Sequence, residues 1–253
     1  MVVDLIKKEL VQAGYSNYIE VVLDSTKFGV PQKRNRFFIL ATRLKGVKLS
    51  QPKPTTDIAV TVEEALKGLP NVIPNSKKEV TKYLQSESNY SKLLKNDKFW
   101  NREQSNSLTY HMPMNHRECT IKRFEMLKQG ESLKNLFEKY RGRELENLQA
   151  QRILPKKMFI KRNYRLKENE PSPTVTSHCL DEFVHPKYNR ALTVRECARL
   201  QSFPDSYDFC GGPYIVPHLN RDVQDKYEQI GDAVPPLLAF AWGNEIKKIM
   251  EQV

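Results

Sequence analysis

A chain of 253 residues with 39% hydrophobic content is long enough for one large or two modest domains and for a buried core, which excludes a disordered tail. Its formal charge of +11 is concentrated, with 15 Lys or Arg against 6 Glu and no Asp between Arg117 and Lys167. Asp4, Lys7, Lys8 and Glu9 exclude an N-terminal secretory segment, and no stretch approaches membrane-spanning length, so a cytoplasmic location is expected. The basic segment on its own fits either a polyanion partner or a solvated surface.

Leu5, Ile6, Leu10 and Val11 predict a short amphipathic helix ending at Gly14. Ile19–Leu23 and Phe37–Ala41 are rich in β-branched and aromatic residues and predict two strands, joined through Phe28, Gly29, Val30 and Pro31. A helix with a strand pair is a fragment of an α/β sheet that cannot cover its own apolar faces. From Leu44 to Pro54 the composition shifts to Lys, Pro and Thr and reads as a domain linker. Val62–Leu69 predicts a helix, while Lys77 to Asn106 gives little periodic signal. Ile121, Phe124 and Leu127, then Leu145 and Leu148, predict helices with apolar inner faces. Thr193-Val-Arg-Glu196 is a capping box that starts a helix. Pro235 and Pro236 open a last helix whose inner face is predicted to carry Leu238, Trp242, Ile246 and Ile249. Cys119, Cys179, Cys197 and Cys210 lack zinc or disulfide spacing, and His111 and His116 are five apart, so no metal site is expected and both histidines read as surface or hydrogen-bonding residues.

Three ordered stretches resemble signature motifs of the DNA cytosine-carbon-5 methyltransferases. Phe28 to Arg36 (FGVPQKRNR) resembles the Gln-x-Arg-x-Arg block, Arg190 to Asp205 (RALTVRECARLQSFPD) the Arg-x-Leu-Thr-x-Arg-Glu block, and Gln229 to Leu238 (QIGDAVPPLL) the C-terminal cofactor-pocket motif. Pro173-Thr-Val-Thr176 resembles the end of the family's recognition region. The Gly-rich first βα turn, the Pro-Cys nucleophile loop and the Glu-Asn-Val block are missing. The resemblance implies an α/β fold: the C-terminal part of a Rossmann-like S-adenosylmethionine-dependent sheet (1–45 and 216–253) around a smaller mixed target-recognition domain (46–215).

The implied chemistry is methyl transfer to a cytosine flipped out of double-stranded DNA, in which the thiolate of a cysteine adds to the ring first. Gln32, Arg34 and Arg36 match the residues implied at the flipped base, and their alternation in an extended segment points them the same way. Gly231, Asp232, Ala233 and Val234 match the cofactor motif, with Asp232 where the family usually has asparagine, so an acceptor is kept and an amide donor lost. DNA contact is expected from Lys156, Lys157, Lys161, Arg162, Thr174, Thr176, Arg190 and Arg195, the last two acting first as scaffold. Three readings stay open. The chain is one subunit of a split methyltransferase linked to restriction-modification, whose complementary subunit brings the nucleophile; or a non-catalytic DNA-binding remnant; or an unrelated basic RNA-binding or structural protein.

Overall fold

The computed structural model describes residues 2–102, 107–215 and 223–252. α1 (Val2–Gln12) is followed by Gly14 at φ +87° and by the hairpin β1 (Asn17–Asp24) and β2 (Asn35–Thr42). Then come α2 (Val62–Leu66), α3 (Asn89–Leu94), α4 (Asp97–Trp100), α5 (Glu118–Glu125), α6 (Leu133–Lys139) and α7 (Gly142–Ala150). The short strands β3 (Tyr164–Arg165) and β4 (Phe183–Val184) pair in parallel across α8 (Cys179–Glu182). α9 (Val194–Leu200), α10 (Lys226–Asp232) and α11 (Pro236–Met250) complete the chain.

β1 and β2 are antiparallel, with Leu23 opposite Arg36 and Val22 opposite Phe37. Side chains alternate between faces, so Ile19, Val21 and Leu23 share one face with Phe38 and Leu40, and this face packs on Leu238, Ala241 and Trp242 of α11. The other face is only partly covered: Lys7 of α1 pairs with Glu20 there at 2.8 Å, but Val22 is 63% and Phe37 46% exposed, and α1 has no buried residue. The region expected as a linker is fastened to this unit, since Asn17 Nδ2 donates to Val47 O at 2.8 Å and Ser50 Oγ to Glu245 Oε1 at 2.5 Å.

A second core gathers Val30, α2, α3, α9, α10 and Leu237, and thus draws on all three expected segments. A third lies under α5, α6 and α7 around Phe124, Leu133, Leu136 and Leu154, where Leu145 and Leu148 also pack.

One weakly signalled stretch resolves into short helices, and one expectation is corrected. Lys77 to Asn106 holds α3 and α4, whose short lengths carry no helical period, although Ser88 caps α3 and Tyr90 and Leu94 are buried; its last four residues, 103–106, lie outside the described residues, as does the boundary expected at 216. Ile246 is not on the inner face of α11 but 41% exposed, and Glu245 is buried instead. Each four-residue step overshoots a helical turn by about 40°, so Ile246, two steps from Leu238, has rotated off the stripe.

Candidate functional site

The Gln-x-Arg-x-Arg segment is set by local chemistry. Asp24 caps a 3-10 turn over Ser25–Phe28, Gly29 ends it at φ 77°, and Ser25 N and Oγ donate to Arg34 O at 2.9 and 2.8 Å. Gln32 then bridges in parallel to Ser172, and Lys33 N donates to Ser172 O at 2.8 Å, which lays residues 32–34 alongside 172–175.

Alternation does bring Gln32, Arg34 and Arg36 to one side, where they meet the chain's own backbone. Gln32 Oε1 accepts from Val175 N at 2.9 Å, and its amide donates to Leu200 O at 3.3 Å and to Gln201 Oε1. Arg34, 7% exposed, donates from Nη1 to Val175 O at 2.6 Å and from Nη2 to Gly231 O at 2.9 Å. Gln201 Nε2 donates to Ile230 O and Ala233 O at 3.0 and 2.9 Å. The first motif, the Pro-Thr-Val-Thr stretch, the end of α9 and the C-terminal motif are thereby tied into one clamp.

Arg36 differs from the other two. Among the described residues its Nη2 makes only long contacts, to Asp232 O and Ala233 O at 3.4 and 3.3 Å, and its buried Nε has no partner. A buried donor without an acceptor costs free energy that a hydrogen bond would recover.

Gly231 is required by contact: a Cβ there would lie 2.1 Å from Ser177 N and 2.2 Å from Thr176 C. Asp232 and Val234 are exposed next to Arg36, and the Asp232 carboxylate accepts from Gln224 Nε2 at 2.9 Å. Ala233 is half-buried. The 231–234 segment thus leaves an acceptor carboxylate, at Asp232, and an apolar side chain, at Val234, exposed.

The Arg-x-Leu-Thr-x-Arg-Glu block forms buried ion pairs. The Thr193 hydroxyl accepts from Glu196 N at 3.2 Å, and Glu196 meets Arg190 in two bonds of 2.7 and 2.8 Å. Burial alone raises the Glu196 pKa, but the charge and hydrogen bonds of Arg190 outweigh it and hold the carboxyl well below the usual range. Arg199 is likewise bidentate to Asp205, at 2.9 and 2.6 Å, and donates to Lys67 O at 2.7 Å. Arg195 donates to Thr109 O and Pro204 O at 3.0 and 3.1 Å. Arg190 and Arg195 are 1% and 0% exposed, which corrects their expected DNA contact: both guanidinium groups are inside the core, where no phosphate reaches.

The other expected DNA residues divide. Thr174 Oγ1 donates to Lys33 O, and Thr176 Oγ1 to Glu182 Oε2, both at 2.7 Å. Lys156, Lys157, Lys161 and Arg162 are exposed together on one loop. Beside it lies a cleft of about 620 Å³ lined by His116, Arg117, Arg123, Arg162 and Asp181. His111 is buried, within 3.0 Å of Thr193 Oγ1 and 2.8 Å of Pro70 O.

Sequence reasoning missed Arg165. It is 5% exposed and donates to the carbonyls of Leu127, His185, Tyr188 and Phe124 and to Asn189. Within a basic run it counts as surface charge, and nothing in its neighbours marks it as core. Gln201, inside the stretch that resembles the second block and is expected as scaffold, bridges α9 and the C-terminal motif.

Comparison with known proteins agrees with this geometry. Residues 2–248 match the model of the C-5 cytosine-specific DNA methylases. The chain is 33% identical, over 99% of its own length, to the type II methyltransferase M.DdeI of Desulfomicrobium norvegicum, and 27% identical over 92% to the type II methyltransferase M.AgeI of Thalassovita gelatinovora. It spans 59% and 66% of those relatives' lengths. A structure described as a DNA modification methyltransferase encoded within an E. coli prophage shares the fold, with a TM-score of 0.64 at 23% identity over 96% of this chain and 63% of the other. The ordered motifs, the clamp that joins them and the match along nearly the whole chain establish that this protein belongs to the C-5 cytosine-specific DNA methylase family.

Proposed function

We propose that this chain binds double-stranded DNA and forms the late part of a DNA cytosine-5 methyltransferase, completed by a complementary subunit that carries the nucleophilic cysteine and the main S-adenosylmethionine motifs. The observation that carries this reading is Arg36: a half-buried arginine whose Nε has no partner among the described residues, beside the C-terminal motif and on a hairpin whose other face leaves Val22 and Phe37 exposed. Exposed Val22 and Phe37, and an α1 with no buried residue, give the remainder of a sheet a surface to pack on.

In this reading the roles of the first motif separate. Gln32 and Arg34 position the segment, because their polar groups are engaged by Val175, Leu200, Gln201 and Gly231. Arg36 touches the substrate, donating to the ring carbonyl of the flipped cytosine or to its adjoining phosphate. A permanently charged planar donor suits either oxygen. S-adenosylmethionine, when bound, supplies the methyl group. The Asp232 carboxylate would accept from its ammonium or hydroxyl donors, and Val234 would meet its apolar portion. Lys156, Lys157, Lys161 and Arg162 meet the phosphates.

The test is transfer of labelled methyl from S-adenosylmethionine to mixed-sequence DNA by the chain alone and with a complementary subunit carrying the early motifs. Activity is expected only in the mixture, and Arg36→Ala should abolish it while leaving the fold intact. Activity from the chain alone would refute the need for a complement. DNA binding without transfer in either case would instead identify a non-catalytic DNA-binding module.

A further inference from the structure

The loop from Pro155 to Asn163 is anchored at both ends and bare in the middle. Pro155 O accepts from Gln149 Nε2 at 3.1 Å. Asn163 donates from N and Nδ2 to Asp181 O at 3.1 and 3.0 Å, and its Oδ1 accepts from Arg123 Nη1 at 3.2 Å. The tip closes through Arg162 N donating to Phe159 O at 3.3 Å, with the Arg162 guanidinium 4.7 Å from the Phe159 ring centre and 3.0 Å from Asp181. Between these anchors Met158, Phe159 and Ile160 are 46%, 42% and 68% exposed, flanked by exposed Lys156, Lys157 and Lys161.

Three neighbouring apolar side chains at the tip of a fastened loop mark a contact surface. The cations around them select an anionic occupant, and the tip requires apolar groups inside it. Duplex DNA has both: phosphates along the rim, and the thymine C5-methyl as the apolar group of the major groove.

We propose that Met158 and Ile160 read base edges in the major groove beside the target cytosine and favour thymine at the position they meet, an inference that rests on the DNA reading above. The backbone gives the reach. Val175 is held by Arg34 in the clamp, and Asp181, six residues on, holds the loop base. Even fully extended, six residues span at most about 20 Å, roughly six base-pair steps. The loop base therefore lies within one recognition site's length of the clamp.

The experiment uses the full chain, alone and with its complementary subunit, to select duplexes from a randomised pool. Affinity is then measured with each thymine of the selected site replaced by uracil, which removes only the methyl. One replacement should weaken wild-type binding roughly three- to ten-fold, the worth of one buried methyl group. M158S/I160S should bind thymine and uracil duplexes equally with the wild-type salt slope and an unchanged unfolding midpoint. K156Q/K157Q/K161Q should keep the thymine preference and show a flatter salt dependence. Retention of the thymine preference by M158S/I160S overturns the inference, as does wild-type DNA binding indifferent to sequence or to uracil. Absence of DNA binding with and without the complement overturns the proposed function itself.

Discussion

The α9 region and the hairpin region obey opposite rules. All seven residues of α9 are buried, and Arg190, Arg195 and Arg199 each have carboxylate or carbonyl partners within the chain. In the hairpin region α1 has no buried residue, Val22 and Phe37 face outward, and Arg36 Nε lacks an acceptor among the described residues. The lesson is that arginines drawn from matching motifs can have unlike functions. Where every donor is engaged, the residue holds the fold. Where one is not, as at Arg36, the role proposed for it is outward, towards the DNA.

The sharpest way to break this distinction is to remove a partner from the α9 region. Asp205→Ala strands the Arg199 guanidinium, which is 0% exposed, and should cost about 3–5 kcal/mol, read as a lower urea midpoint. Arg36→Ala should shift the same midpoint by less than ~1 kcal/mol. Equal losses in the two variants would erase the difference between the regions.

The clamp between the regions comes next. Gly231→Ala forces a Cβ against the Thr176–Ser177 backbone, which cannot swing aside as a side chain can. Overpacking of this kind costs about 1–3 kcal/mol. Because Gly231 O is also the acceptor for Arg34, methyl transfer in the complemented enzyme should fall further than the unfolding midpoint suggests. A fully active Gly231→Ala enzyme would show that the clamp does not position the site.

How much was legible in the sequence follows the same division. The capping box at Thr193 and the hairpin strands could be read because their signals lie within a few residues. So could the motif segments themselves. What they contact could not: Gln32 reaches Val175 and Arg34 reaches Gly231 across 143 and 197 positions, and sequence spacing says nothing about such distances. The charge count misled for a related reason. It gave Arg165 to the surface, but the side chain satisfies five groups in the interior, and the cationic face is carried by fewer residues than the composition implies.

Acid should test the α9 region more gently. Burial lowers the pKa of His116 to about 4 and that of His185 to about 3, from the usual 6.5. Both rings act as acceptors, His116 Nε2 from Ala191 N at 3.0 Å and His185 Nδ1 from Lys187 N at 3.0 Å. A histidine whose folded pKa is depressed stays neutral in the native state while the unfolded chain takes up a proton below 6.5. Its stabilising effect is therefore complete above pH 6.5 and declines as the pH falls towards 4 and then 3. Glu196 and Asp205, whose folded pKa values are also depressed, add their losses only below the unfolded carboxylate range. Between pH 6.5 and 5 the fall in urea midpoint should be partly removed in His116→Gln, and an identical slope in that variant would exclude His116 as its source.

The smallest effect on the chain's own stability is expected on the partly covered face of the hairpin, where it is the most informative. Val22 and Phe37 sit directly opposite each other in the antiparallel register, pointing away from α11. V22T/F37T keeps residues suited to strands and removes apolar surface that the isolated chain already leaves in water. The unfolding midpoint should move by no more than about 0.5 kcal/mol. Assembly with a complementary subunit is another matter, because each large side chain buried there contributes roughly 1.5–3 kcal/mol. Sedimentation of the mixture should show weakened association, and transfer activity should recover as the complement is added in excess. If the doubly substituted chain instead assembles with wild-type affinity, the proposed complement does not pack on this face, and the exposed pair is ordinary surface.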